Sequence, residues 1–138
     1  MNKKEMIALL NEDLTKEYAA AVQYVQHAAC VTGAQYQAIQ KELIIHSNEE
    51  MGHALSLSDQ IATLGGIPTI DVNERHIAKD SKKMLKQDLA GEEDAIRRYR
   101  ARVSQAEEMK EYGLKRALED ILVVEEEHRR DLQAALGM

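Results

Sequence analysis

Tryptophan and phenylalanine are absent from this chain, and proline and cysteine occur once each among its 138 residues. A single cysteine cannot form an internal disulfide, and Cys30, set among Ala and Val, reads as a small core or interface residue. One proline and seven glycines leave little turn-forming material. A basic excess is missing as well: the net charge is -6, which argues against nucleic-acid binding and suits attraction of cations. No apolar run is long enough to span a bilayer, and charges run through the N-terminal stretch MNKKEMIALLNED. That pattern fits neither a signal peptide nor a membrane anchor, so a reducing cytoplasm is the expected location. What is present is 44% hydrophobic and 30% charged, rich in Ala, Leu, Glu, Lys and Gln. Such a composition predicts an all-α fold, and the length suits one domain spanning residues 1–138.

Four helical stripes can be read from the apolar spacing. The first runs Ile7, Leu10, Leu14, Glu17, Ala21, Tyr24, Ala28 and Val31, and ends at Thr32-Gly33 with Gly33 as the expected left-handed cap. A second, from about Gln35 to Leu64, carries Ile39, Leu43, His46, Glu50, His53, Leu57 and Ile61 before Gly65-Gly66-Ile67-Pro68 stops it. About a dozen residues from Gly65 then form a connection too long for a tight hairpin and long enough to run along a bundle. Asp80 or Ser81 caps the third helix, whose stripe holds Leu85, Leu89, Glu92, Ile96, Tyr99 and Val103. The fourth, after Gly113, reads Leu114, Leu118, Ile121, Glu125, His128, Leu132 and Ala135. Two helical hairpins joined by a crossover form a four-helix bundle in which the second and third helices run parallel.

The polar residues on these stripes follow one plan. EEMGH and VEEEH each place a Glu three residues before a His, Glu50 with His53 and Glu125 with His128. Three residues is close to one helical turn, so each pair points to the same side. Glu17 precedes Glu50 by 33 residues, and Glu92 precedes Glu125 by 33. A lone Glu on an apolar stripe is usually a boundary residue reaching solvent, and a lone His is more often a hydrogen-bonded core residue than a ligand. Four carboxylates in one bundle core are different, because each costs several kcal/mol to desolvate and they repel one another. Two divalent cations would neutralise them. Four carboxylates and two imidazoles suit iron or manganese better than copper.

These six residues resemble the ferritin-like di-iron carboxylate family, and more specifically the bacterioferritins. The likeness includes the Glu-Met-x-His form of the second-helix motif, the Leu-Gly-Gly-Ile-Pro break and the Asp-Leu-Ala-x-Glu run of the third helix. It implies a ferritin-like fold and two iron ions held by Glu17, Glu50, His53, Glu92, Glu125 and His128, with Glu50 and Glu125 as bridges. Tyr24 matches a family tyrosine beside the centre, its alternative being a core aromatic with a satisfied hydroxyl. Met51 matches a methionine that ligates haem across a two-fold dimer. Its helix face also carries Ile44, Leu55 and Ala62, near Val22, Val25 and Ala29 of the first helix, and a dimer interface alone would explain that face. Only ten residues follow His128, so no fifth helix is expected.

The resemblance implies a ferroxidase that oxidises Fe(II) with O2 or H2O2 and works as at least a homodimer. Two alternatives stand beside it: a rubrerythrin-like peroxide scavenger without iron storage, and a haem- or partner-binding bundle whose metal site is structural.

Overall fold

In the computed structural model, which describes residues 1–138, the first helix is set by its cap. Asn2 Oδ1 accepts from the Glu5 backbone N–H at 2.9 Å, and Glu5 Oε2 accepts from the Asn2 N–H at 3.0 Å. This reciprocal box satisfies two N–H groups that a helix start leaves without partners. Helix α1 then spans Lys3–Cys30, α2 Gln37–Thr63, α3 Ser81–Glu108 and α4 Tyr112–Ala135, with one 3-10 turn at Ala34–Tyr36. Helices of 24 to 28 residues are roughly 36–42 Å long at about 1.5 Å per residue. All four are amphipathic, and none is long and apolar enough to cross a membrane.

One expectation at the first turn is corrected, and the two readings of Cys30 are narrowed to one. Val31, in extended backbone, ends α1, and Gly33 has φ 114 and ψ 142. Gly33 is therefore not a left-handed helix cap but opens the 3-10 turn. Cys30 is exposed, which excludes the core reading and leaves that of an interface residue. Gly65 does take the capping role at the end of α2, with φ 90. The Gly66 N–H there donates to the Ile61 carbonyl and the Gly65 N–H to that of Ala62. This closes the last turn in the Schellman pattern.

The crossover has no regular structure until Asp80, whose side chain accepts from the Lys83 N–H at 3.0 Å and starts α3. It is tied down along α1. Asn11 holds the backbone of Ile67 and Thr69, the Thr15 carbonyl accepts from the Asn73 N–H, and Gln23 Oε1 accepts from the His76 N–H at 2.7 Å. The anchors climb α1 in order, so the chain reaches the end where α1 stops and α2 starts before α3 begins, and Ser81 there bonds Thr32. Helices α2 and α3 therefore run parallel on one diagonal, and α1 packs against α2 and α3 as α4 does.

The predicted stripes are the buried faces, with Ile7, Val103 and Ala135 only partly covered. They build two apolar clusters. One gathers Met6, Leu10, Leu14, Leu57, Ile61, Tyr99, Leu114, Leu118 and their neighbours. The other gathers Tyr24, Ile39, Leu43, Leu85, Leu89 and Leu132. The polar stripe residues lie between the two clusters, at the waist.

Helix α3 ends with the same hydrogen-bond pattern as α2, yet the residue in the left-handed conformation is Lys110, at φ 59. A side chain costs about 1 kcal/mol there relative to glycine. Lys110→Gly is expected to stabilise the protein by about 1 kcal/mol in urea unfolding with an unchanged slope. A destabilised variant would contradict this reading of the turn.

Candidate metal centre

Each helix contributes one glutamate to the waist, and all four are buried to within 2% of complete exclusion: Glu17, Glu50, Glu92 and Glu125. His53 and His128 follow Glu50 and Glu125 by one turn and point to the same interior. His53 Nδ1 lies 3.2 Å from Glu50, 3.4 Å from Glu125 and 3.6 Å from Glu17. His128 Nδ1 lies 3.2 Å from Glu92, 3.4 Å from Glu50 and 3.5 Å from Glu125. The structure thus brings all six residues together as two sets, Glu17–Glu50–His53–Glu125 and Glu50–Glu92–Glu125–His128. Within each set the possible ligand atoms lie within 4.8 Å of one another. Glu50 and Glu125 belong to both.

Around them is a layer of groups that fix their positions. The Tyr24 hydroxyl donates to Glu92 Oε1 at 2.6 Å, and the Tyr99 hydroxyl donates to Glu17 Oε1 at 2.5 Å. Tyr24 is both a core aromatic and a neighbour of the centre. Tyr99, a stripe residue in the sequence, proves to be its counterpart. The offset relating Glu17 to Glu92 and Glu50 to Glu125 also relates Tyr24 to Tyr99, which is the signal that could have exposed it. Glu49, off the stripe, sits 3.3 Å from His128 Nε2 and orients the ring from outside.

The same offset relates two further buried carboxylates, Asp13 and Asp88. Asp13 accepts from Arg98 at 2.6 Å and Arg102 at 2.8 Å. Asp88 accepts from Gln23 at 2.9 Å and contacts His27 at 2.8 Å. Both sit between α1 and α3, one on each side of the waist, and lock the register of those helices.

Burial dominates the electrostatics. It raises the carboxyls of Glu17, Glu50 and Glu92, and the charge of Glu125 pushes each further. Burial acts on Glu125 too, but its neighbours Glu50, His53 and His128 overcome that and hold it at about 2. Burial alone would lower His53, yet the carboxylates of Glu125 and Glu17 raise it to about 10. His128 is raised likewise, against burial, by Glu92. Even so, Glu17 Oε2, Glu50 Oε1, Glu92 Oε2, Glu125 Oε1 and His53 Nδ1 are buried with no hydrogen-bond partner. Five such atoms converging on one spot are costly in a protein-only network, and they fit a pair of hard divalent cations.

A cleft of about 320 Å³ leads to the four glutamates between α1 and α3. Asn73, Glu74 and His76 of the crossover line it together with Lys16, Asp94 and Arg98. Met51 is elsewhere: half exposed on the outer face of α2, with Ile44 and Leu55 beside it and Val22 and Val25 on α1.

Comparison with known proteins agrees with this geometry. The family model described as a ferritin-like domain matches residues 7–138. A crystal structure described as ferritin-like, di-iron-carboxylate proteins from Bacillus anthracis str. Ames is 36% identical, covers 99% of both chains and superposes with a TM-score of 0.92. The bacterioferritin-related dodecameric thioferritin of Bacteroides fragilis is 33% identical over 99% of this chain and 87% of its own, also at a TM-score of 0.92. A bacterioferritin of Mycobacterium tuberculosis is 29% identical over 135 residues, 97% of this chain and 85% of that protein.

The protonation pattern sets a pH dependence for the metal-free protein. The raised Glu17, Glu50 and Glu92 keep protons that ordinary carboxyls release near 4.5, and His53 keeps until about 10 one that an ordinary histidine releases near 6.5. From about pH 5 to 10 the folded chain thus binds more protons than the unfolded one, and stability falls as pH rises. Glu125 works the other way, but only as pH falls from 4.5 towards 2. In chelator the melting temperature is expected to be lower at pH 9 than at pH 6, with a shallower slope for Glu50→Gln, and Mn(II) should flatten the dependence. A metal-free melting temperature that climbs from pH 6 to 9 would contradict this account.

Proposed function

This chain belongs to the ferritin-like family, and from that premise we propose that it is a ferroxidase, oxidising Fe(II) at Glu17, Glu50, His53, Glu92, Glu125 and His128. The observation that carries the reading is the sharing of Glu50 and Glu125 between two buried ligand sets. A carboxylate common to both sets is suited to bridge two ions, while Glu17 with His53 and Glu92 with His128 complete one ion each. Fe(II) is the substrate, and two ions side by side deliver two electrons together, taking O2 to H2O2 or H2O2 to water with two protons consumed. Manganese suits the same donors.

The chain's own groups have distinct parts in this scheme. Glu17 and Glu92 are steadied by the hydroxyls of Tyr99 and Tyr24, and His128 by Glu49. Loading the cations releases the protons that burial holds on the carboxyls, so the pocket exchanges protons for metal rather than accumulating charge. The cleft between α1 and α3, with Glu74 and Asp94 at its side, offers substrate a path to all four glutamates.

The exposed face with Val22, Val25, Ile44, Met51 and Leu55 supports self-association, and the related thioferritin is dodecameric. A two-fold contact is the commonest way to cover such a patch. It would bring Met51 together with its counterpart, and paired thioethers there could hold a haem. Light scattering is expected to give at least twice the chain mass of 15.6 kDa, and a monomer at micromolar concentration would refute the dimer. Added haemin should give a Soret band that Met51→Ala loses without any loss of Fe(II) oxidation.

Single-turnover oxidation of two Fe(II) per chain tests the activity. Rapid colour formation with O2 or H2O2 is expected, and Glu50→Ala should slow it by more than about 100-fold while the metal-free fold is kept or stabilised. Oxidation at the parent rate in that variant would remove Glu50 as a bridge. Turnover with peroxide alone in a particle that stores no iron would favour the scavenger. No oxidation at all would leave a structural metal site.

A further inference from the structure

The buried stripes of α2 and α4 match position by position from Leu43 to Leu57, except at His46. The offset that relates Glu50 to Glu125 relates Leu43 to Leu118 and Leu57 to Leu132, but His46 to Ile121. An imidazole thus stands on α2 where α4 carries an aliphatic side chain.

His46 is fully buried. Its ring stacks on that of His128 with centroids 3.8 Å apart and meets Tyr24 edge-on at 5.1 Å. A buried imidazole in an apolar stripe is costly unless its nitrogens are used. Nε2 lies 3.0 Å from Asp131 Oδ2, while Nδ1 is buried with no partner. Asp131 has His46 as its ion-pair contact, and its side chain is 41% exposed. Glu42 stands one turn before His46 on α2, partly exposed. Possible ligand atoms of Glu42, His46 and Asp131 lie within 4.8 Å of one another. Two carboxylates at the surface can turn inward to share an ion bonded at about 2.1 Å.

We propose that Glu42, His46 and Asp131 form a third cation site, taking one divalent first-row ion and sharing no ligand with the four-glutamate centre. One imidazole and two carboxylates suit Zn(II), Fe(II) or Mn(II). The site belongs to α2 and α4, across the bundle from the cleft between α1 and α3, and Asp131 and Glu42 open it to solvent there. It can therefore load without passing through that cleft. Its contact with the centre is the stack of His46 on His128.

Zinc is the probe, because it does not change oxidation state. The purified full-length protein, stripped with chelator, is titrated with Zn(II) by calorimetry, and zinc-soaked crystals are measured at the zinc absorption edge. Three equivalents are expected for the parent, with one anomalous peak between Glu42, His46 and Asp131. The double variant Glu42→Gln/Asp131→Asn should bind two equivalents and lose that peak alone. His46→Ile, which copies the aliphatic residue at Ile121, should do the same in a protein whose circular dichroism is unchanged. Glu50→Gln, which disturbs the centre, should keep the third peak, so failure of the central site and of this one are separately visible. Absence of a peak at His46 under saturating zinc, or unchanged stoichiometry in the double variant, would overturn the proposal.

Discussion

Four carboxylates excluded from water at the middle of an apolar bundle are the constraint on which the rest of this structure depends. Each is costly to desolvate, and each raises the cost of ionising the others. The protein alone answers by raising the carboxyls of Glu17, Glu50 and Glu92 through burial and by holding His53 up at about 10 through the carboxylates of Glu125 and Glu17. That answer is incomplete, because ligand-type atoms are left unpaired. The stability of the bundle must then come from elsewhere, from the apolar clusters above and below the waist. Burial of so much Leu and Ile offsets a polar layer that would otherwise be unaffordable.

The internal two-fold relation shows how the layer is held in register, and its exceptions are as informative as its matches. Asp13 and Asp88 are equivalent, but the first is gripped by Arg98 and Arg102 and the second by Gln23 and His27. The crossover supplies the reason. It passes over Gln23 and His27, and the His76 backbone N–H needs an acceptor, which Gln23 Oε1 provides and an arginine could not. His27 meets the His76 carbonyl in turn, at 3.0 Å. At the other end the crossover is held by Asn11 and the Thr15 carbonyl instead, and Arg98 and Arg102 hold Asp13.

Much of this was legible in the sequence because a helical stripe leaves a periodic trace. A Glu at a position that calls for Leu stands out, and four such residues with two His at matched spacing mark the six side chains that the fold brings together. Less local features left no such trace. Tyr99 reads as an ordinary core aromatic until α1 is placed beside it, because the direction of a hydroxyl depends on the helix opposite. Glu49 sits off the stripe and reaches His128 only across the bundle. Cys30 is not a core residue despite its apolar neighbours, since it lies on the outward side of α1 between Ala28 and Val31, which are both in the second core cluster. Gly33 was misjudged because α1 ends on an extended Val31, and a glycine near a helix end need not be its cap.

The central claim is that two metal ions share the two bridging glutamates. Crystals grown anaerobically with Fe(II) and measured at the iron absorption edge test it most directly. Two anomalous peaks are predicted at the waist, one near Glu17 and His53, the other near Glu92 and His128, with Glu50 and Glu125 between them. A single peak at the waist, or iron only on the outer faces of the helices, would contradict the account.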